Sequence, residues 1–417
     1  LETGTCKDSG CSSTKTYMKY IILVPDGVAD EPVKALGGKT PLEAARTPHM
    51  DFLAKNGLSA LVRTIPDGMS PGSDVGNLSL LGYDPRGNLS GRAPLEAANL
   101  GIELRENDIA FRCNLVNVQQ GKMIDYSAGH ISIDEAALIM KDVAAKLNSA
   151  HVKYYTGKSY RHICVINMPG ALKDLKQVKC TPPHDIMDQP IDLHMPRGGK
   201  ADLILEQMER SKAILNSHPV NQARVREGKL PATMTWFWGQ GERPKLQPYR
   251  ERFGVTGGII SAVDLVNGIG RLAGLKIISV PGVTGYLDTN FRGKAEYALA
   301  SLKEDDFVFV HVEATDETGH NGDPKAKIEA VERFDADVVG PVLAWAKDRD
   351  DVRILVSPDH PTPVEKRTHT RAPVPFVMYG KGIEPNRLDG YNEALASRQG
   401  IRFASGEDMV NYFIKHP

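Results

Sequence analysis

The chain has 417 residues, with 51 basic and 52 acidic side chains and a net charge of −1. That length exceeds one simple core and predicts two domains; the balanced, interspersed charge argues against a nucleic-acid or membrane-surface partner. No apolar stretch approaches the roughly 20 residues that a membrane helix needs.

In chain order, residues 1–17 are polar and rich in Ser, Thr and Lys, with no apolar signal core. They read as a tag or disordered tail, and Met18 reads as the natural start. Cys6 and Cys11 fall in that tail, leaving Cys113, Cys164 and Cys180 without CxxC spacing. Such sparse cysteines fit reduced thiols in a cytoplasmic enzyme and leave any metal to carboxylate and histidine.

The apolar run 20–24 predicts a strand, followed by a helix over 41–56 and a loop rich in Gly, Pro and Ser. Residues 92–228 differ in character, with alternating strand patterns over 111–118 and 162–167, amphipathic helices over 134–147 and 201–216, and Pro-rich connections. This stretch reads as a smaller α+β domain inserted into a loop of a core made of 18–91 and 229–417. After it come strands over 276–280, 307–312, 352–356 and 374–379, with helices to Leu272 and over 294–302 and 325–346 between them. The βαβα order predicts a doubly wound α/β core.

Three apolar runs end in aspartate. The run 20–24 leads into Pro25-Asp26-Gly27; 307–312 leads to Asp316, with His320 four residues on; 352–356 leads to Asp359-His360, with His369 nine further. Ligands of open α/β sheets sit at the carboxyl ends of the strands. The pattern therefore gathers three aspartates and three histidines on one rim, a ligand set for divalent metal. Asp316 and His320 share a helix face at i and i+4, and the adjacent Asp359 and His360 address different neighbours, which suits two ions on a shared rim. Helix caps account for single aspartates but not for three accompanying histidines.

A second signal is Ser70-Pro-Gly-Ser73-Asp74-Val-Gly-Asn77, which delivers Ser73 to the start of a short helix. There Ser73 is either a plain N-cap or a nucleophile whose pKa a metal lowers. The chain has no GxSxG elbow, P-loop or GxGxxG, so no standard ATP cradle is expected.

Together these residues resemble the alkaline phosphatase superfamily. Matched residue by residue, Asp26, Ser73, Asp359 and His360 correspond to one metal site of that superfamily, and Asp316, His320 and His369 to the other. The strings Val24-Pro-Asp-Gly27, Gly72-Ser-Asp-Val-Gly76, Leu81-Gly-Tyr-Asp-Pro85, Asp316-Glu-Thr-Gly-His320 and Thr368-His-Thr-Arg-Ala-Pro-Val-Pro375 are similar to the cofactor-independent phosphoglycerate mutases, in their shorter, archaeal-type branch. The resemblance runs from Met18 to Pro417. It implies a doubly wound alkaline-phosphatase-like core and two divalent ions (Mn, with Zn, Mg or Co as alternatives). It also implies glycolytic interconversion of 3- and 2-phosphoglycerate through a phosphoserine at Ser73, without 2,3-bisphosphoglycerate. Two related activities stay open: a phosphotransferase such as the proposed homoserine kinases, and a phosphate-ester hydrolase.

A small trianionic substrate needs guanidinium and imidazole groups. Candidates are Arg112 with Asn114, His130, Arg161, His162 and Arg197, with Arg250 and Arg252 outside the insert and Asp185 as a candidate base. The expected partner is a small phosphorylated molecule, with no nucleic acid and no membrane. Nothing in the sequence marks an oligomeric state.

Overall fold

Apolar segments buried on both faces form the centre of the molecule, which a computed structural model describes over residues 18–416. The tail over 1–17, with Cys6 and Cys11, lies outside the described residues. Among the described residues the strands are β1 (Lys19–Pro25), β2 (Leu58–Val62), β3 (Asp108–Gln119), β4 (Lys122–Asp125), β5 (Val152–Lys158), β6 (Arg161–Asn167), β7 (Met234–Gly241), β8 (Gly257–Ile260), β9 (Lys276–Ile277), β10 (Phe307–Val312), β11 (Val352–Val356), β12 (Val374–Gly380) and β13 (Ile401–Phe403).

The larger sheet has eight strands in the order β13-β2-β12-β11-β1-β10-β8-β9. β1 pairs in parallel with β10 on one side and β11 on the other. Its side chains alternate between two cores: Ile22 and Val24 join Phe309 and Leu355 on one face, and Ile21 and Leu23 join Val308, Val310 and Ile354 on the other. Both faces are covered, as the continuous apolar runs require. β12 runs antiparallel to β11 and to β2, so the sheet is mixed at that side.

Two predicted helices are interrupted. The segment 41–56 forms Pro41–Ala44 and Pro48–Asn56 as separate helices, because Pro48 disfavours helical backbone at Thr47. The segment 325–346 holds a π-helical turn at Asp335–Val339, whose Asp335 carboxylate accepts from His49 N and Met50 N. It thereby satisfies free amides at the start of helix Pro48–Asn56. The strand expected over 276–280 shortens to Lys276–Ile277, and β2, β4, β5, β7 and β13 are additions to the predicted elements.

The smaller sheet is antiparallel, with β3 between β6 and β7, β5 beyond β6, and β4 on the far part of β3. Helices Ile133–Leu147 and Ala201–Asn216 cover it over a core that includes Phe111, Met140, Ile204 and Trp236. β7 pairs with β3 although it lies beyond residue 228, where the insert was expected to end. Helix Arg92–Asn99 lies at the junction with the larger sheet, where Asn99 Nδ2 donates to Asp264 Oδ1 at 2.9 Å. No helix among the described residues is long and apolar enough to cross a membrane.

Candidate active site

The register of the central strands aligns their carboxyl ends: Leu23 pairs with Val356, and Pro25 with Val312. Asp26 follows β1 directly. Asp316 and His320 lie one turn apart on helix Ala314–His320 after β10, and Asp359 and His360 lie just past β11. His369 comes from the loop before β12. The residues expected on one rim are thus gathered there. Ligand atoms of Asp26, Asp359 and His360 lie within 4.8 Å of one another, as do those of Asp316, His360 and His369.

Around the first group, His360 Nε2 lies 3.5 Å from Asp26 Oδ1, 3.4 Å from Asp359 Oδ2 and 3.2 Å from Ser73 Oγ. Around the second, Asp316 Oδ2 lies 3.3 Å from His320 Nε2, and Asp316 Oδ1 lies 3.4 Å from His369 Nε2. The two imidazole Nε2 atoms face each other at 2.9 Å.

Ser73 is the first residue of helix Ser73–Leu80, so its side chain stands at the positive end of the helix. Two features hold that helix against the rim. Asn77 Nδ2 donates to Asp359 Oδ2 at 2.8 Å and to Ser73 O at 2.9 Å. Gly76 lies flush on Asp359: a Cβ there would stand 2.8 Å from the Asp359 Cβ. Gly27, with φ +61°, turns the chain after Asp26 and donates its N–H to Asp359 Oδ1 at 3.1 Å. That turn needs the left-handed region, which glycine adopts at no steric cost.

The charge balance of this rim is incomplete. Asp26 is buried, and neither of its oxygens receives a hydrogen bond. Burial, with Asp359 and Asp316 facing it, pushes its pKa well up. Burial also acts to raise Asp316, but hydrogen bonds from His320 and His369 outweigh it and hold that carboxyl well below the usual range. The bond to Asp316 in turn lifts His320 to about 9. A buried, unbonded carboxylate among like charges is costly unless a cation joins it. Oxygen and imidazole donors converging on it fit divalent ions.

Sequence reasoning missed three residues here. His311, within β10, places Nε2 2.9 Å from Asp26 Oδ2 without hydrogen-bond alignment, and burial lowers its pKa to about 4. The signal was a lone polar residue in an apolar strand. Glu313 lies at the rim, where burial, then Glu317 and Asp316, lift its pKa to about 8. Thr362 donates its hydroxyl to Asp316 Oδ1; nothing in its sequence context distinguished it.

The predicted substrate residues divide. Strand register puts Arg112 and Arg161 on one face of the smaller sheet, opposite Ile163 and Asn114. Arg112 is buried, with its guanidinium 4.0 Å over the Trp238 ring and Nε 3.1 Å from Glu96 Oε2. Burial lowers its pKa against the pull of Glu96, with the Arg161 and Arg92 charges adding to the lowering, and the Arg112 and Arg92 side chains both lie within 4 Å of where a Cβ on Gly239 would stand. Arg92, absent from the sequence candidates, places Nε 3.4 Å from Asp74 Oδ2, beside Ser73. Arg161 Nη2 lies 3.4 Å from Asp264 Oδ2, and its charge opposes the rise in the Glu313 pKa.

His162 does not join them. It pairs with Cys113, on the face opposite Arg161, and burial holds it neutral, with a pKa of about 3. Its Nδ1 accepts from Gly157 N. His130 is exposed at the end of the 125–130 loop, with its backbone N–H donating to Ser127 Oγ at 3.0 Å. Arg197 bonds Leu193 O, Arg252 pairs with Glu407 at 2.7 Å, and Asp185 is exposed beside His184. None of these is brought to the rim by a contact with its residues.

Residues 54–221 match the family model described as 2,3-bisphosphoglycerate-independent phosphoglycerate mutase. The chain is 47% identical over 401 residues to the protein of that name from Methanosarcina acetivorans, covering 95% of this chain and all of the relative. It is 48% identical over 406 residues to a protein named as a probable enzyme of the same kind from Geobacter sulfurreducens, with 95% and 100% covered. A solved cofactor-independent phosphoglycerate mutase from Thermoplasma acidophilum superposes with a TM-score of 0.67 at 26% identity, over 95% of this chain and 99% of that one.

Proposed function

The chain belongs to the 2,3-bisphosphoglycerate-independent phosphoglycerate mutase family, and from that premise we propose that it interconverts 3- and 2-phosphoglycerate through a phosphoserine at Ser73. The observation that carries this reading is the 3.2 Å approach of Ser73 Oγ to His360, beside the unbonded carboxylate of Asp26.

Asp26, Asp359, His360 and Ser73 would hold one divalent ion, and Asp316, His320 and His369 the other. Bound there, such ions lower the pKa of the serine hydroxyl and neutralise phosphoryl oxygens; Mn²⁺ is the first candidate. The Ser73 Oγ–P bond forms as the ester bond to the glycerate oxygen breaks, and the serine proton ends on that oxygen. The reverse step returns the phosphoryl group to the neighbouring hydroxyl. Arg92, Arg112 and Arg161 hold the carboxylate and phosphoryl charges while glycerate reorients. The unit built on the smaller sheet supplies Arg112 and Arg161, and its closeness to the rim keeps water from the phosphoserine.

The test is conversion of 3-phosphoglycerate to phosphoenolpyruvate with Mn²⁺ and enolase and no bisphosphoglycerate. Product that disappears with a chelator supports the mutase. Release of inorganic phosphate alone replaces it with a hydrolase, and turnover only with ATP and homoserine replaces it with a kinase.

A further inference from the structure

Behind the rim lies a fully buried ammonium. Lys327, on helix Pro324–Phe334, is 0% exposed. Its Nζ donates to Gly27 O at 2.9 Å, to Asp30 Oδ2 at 2.8 Å and to Thr362 O at 2.8 Å. These acceptors use all three of its protons. They come from the loop after β1 and the loop after β11, which also carry Asp26 and the Asp359-His360 pair. Each carbonyl belongs to a residue already bonded to the rim: Gly27 N donates to Asp359 Oδ1, and the Thr362 hydroxyl donates to Asp316 Oδ1.

Packing alone does not call for a lysine here. The neighbouring helix positions Ala330, Val331 and Phe334 enter an apolar core, and an apolar side chain of similar length would bury at lower desolvation cost. A Met or Leu would leave the two loops joined by backbone bonds such as Thr362 N to Gly27 O and Ala29 O, and would lose the Nζ link that fixes Gly27 O, Asp30 and Thr362 O around one point. Asp26 follows β1 and Asp359 follows β11, so the spacing of these two ligands is set by how the two loops are joined. We infer that Lys327 is a positioning residue for the candidate metal centre: by joining Gly27, Asp30 and Thr362 it holds the ligand carboxylates converged before an ion arrives. The inference rests on the two-ion reading above.

Isothermal titration of the metal-free protein with Mn²⁺ tests it, read against Lys327→Met. Loss of groups that orient metal ligands costs about 10- to 100-fold in affinity, and a fall of that size is expected with the far-ultraviolet spectrum unchanged. Because Lys327→Met leaves the buried Asp30 carboxylate without its counter-ion, held only by the Glu31 and Val364 amides, the charge-neutral double variant Lys327→Met/Asp30→Asn keeps the test open if the single variant does not fold. The double variant is expected to regain stability but not affinity. Wild-type Mn²⁺ affinity in the folded double variant overturns the positioning role while leaving the metal centre intact. Failure of the wild-type protein to bind Mn²⁺ overturns the two-ion reading, and this inference with it.

Discussion

Ser73 Oγ stands 3.2 Å from His360 Nε2, although the two residues are 287 positions apart in sequence. Burial lowers the pKa of His360, so its ring presents an uncharged nitrogen beside the serine. No capping bond holds that serine to its own helix: the N-cap position is Gly72, with no side-chain cap. Replacing Ser73 therefore removes a hydroxyl that serves the site and not the helix. Ser73→Ala should lower mutase turnover by about 10⁴-fold or more and leave the melting temperature unchanged. Mass spectrometry of the quenched wild-type enzyme should find phosphate on Ser73, and phosphate on any other residue would refute this assignment.

Gly76 is a steric requirement of the same contact. An added methyl would press on the Asp359 Cβ and carbonyl, and backbone does not yield as a flexible side chain does. Gly76→Ala should push helix Ser73–Leu80 off the rim, costing roughly 1–3 kcal/mol as overpacking does. Turnover should fall much further than stability, because Ser73 moves with its helix. Urea denaturation alongside kinetics checks this; a stable, fully active variant would mean that the helix can shift without harm.

Much of this was legible in the chain because it depends on local pattern. The apolar runs of β1, β10 and β11 mark parallel strands, and their order places the following aspartates on one edge. Helix Ala201–Asn216 coincides with its predicted span because its amphipathic period is unbroken. What escaped depends on tertiary contact. Arg161 and His162 are adjacent in sequence, yet strand alternation puts one on the face that carries Arg112 and the other on the opposite, buried face. Lys327 reads as one of many helix lysines until the two loops that it joins are seen in space. Helix 325–346 carries a regular pattern, and the demand of the His49 and Met50 amides on Asp335 has no local mark.

Asp264 joins the tip of the β5–β6 hairpin to the larger sheet's side of the molecule. Its Oδ1 accepts from Lys158 Nζ at 2.8 Å and from Asn99 at 2.9 Å, and its Oδ2 lies 3.4 Å from Arg161. Such partly exposed pairs contribute about 0–1 kcal/mol, so Asp264→Asn should melt close to wild type. Its effect should fall on Arg161, which loses its charged partner. The expected result is a several-fold rise in KM for 3-phosphoglycerate, with a larger share of turnovers ending as free phosphate. Equal losses of kcat and stability without a KM change would mean that Asp264 only supports the fold.

Glu393 gives a pH dependence away from the rim. Its Oε2 accepts from the Thr40 hydroxyl at 2.7 Å, and its Oε1 accepts from Asp30 N at 2.9 Å. Burial raises its pKa from 4.5 to about 7. A carboxyl whose folded pKa is raised binds its proton more tightly in the folded state. It therefore stabilises the fold below pH 4.5, and that contribution is lost as pH rises toward 7. The residue is partly exposed, so about 2 kcal/mol is a reasonable size for the loss. Glu393→Gln keeps the protonated shape and removes the titration. Between pH 4.5 and 8 the stability difference should move in the variant's favour by about that amount, measured by chemical denaturation across the range. A constant difference would show that Glu393 is ionised throughout, with the nearby Lys327 ammonium as its compensation.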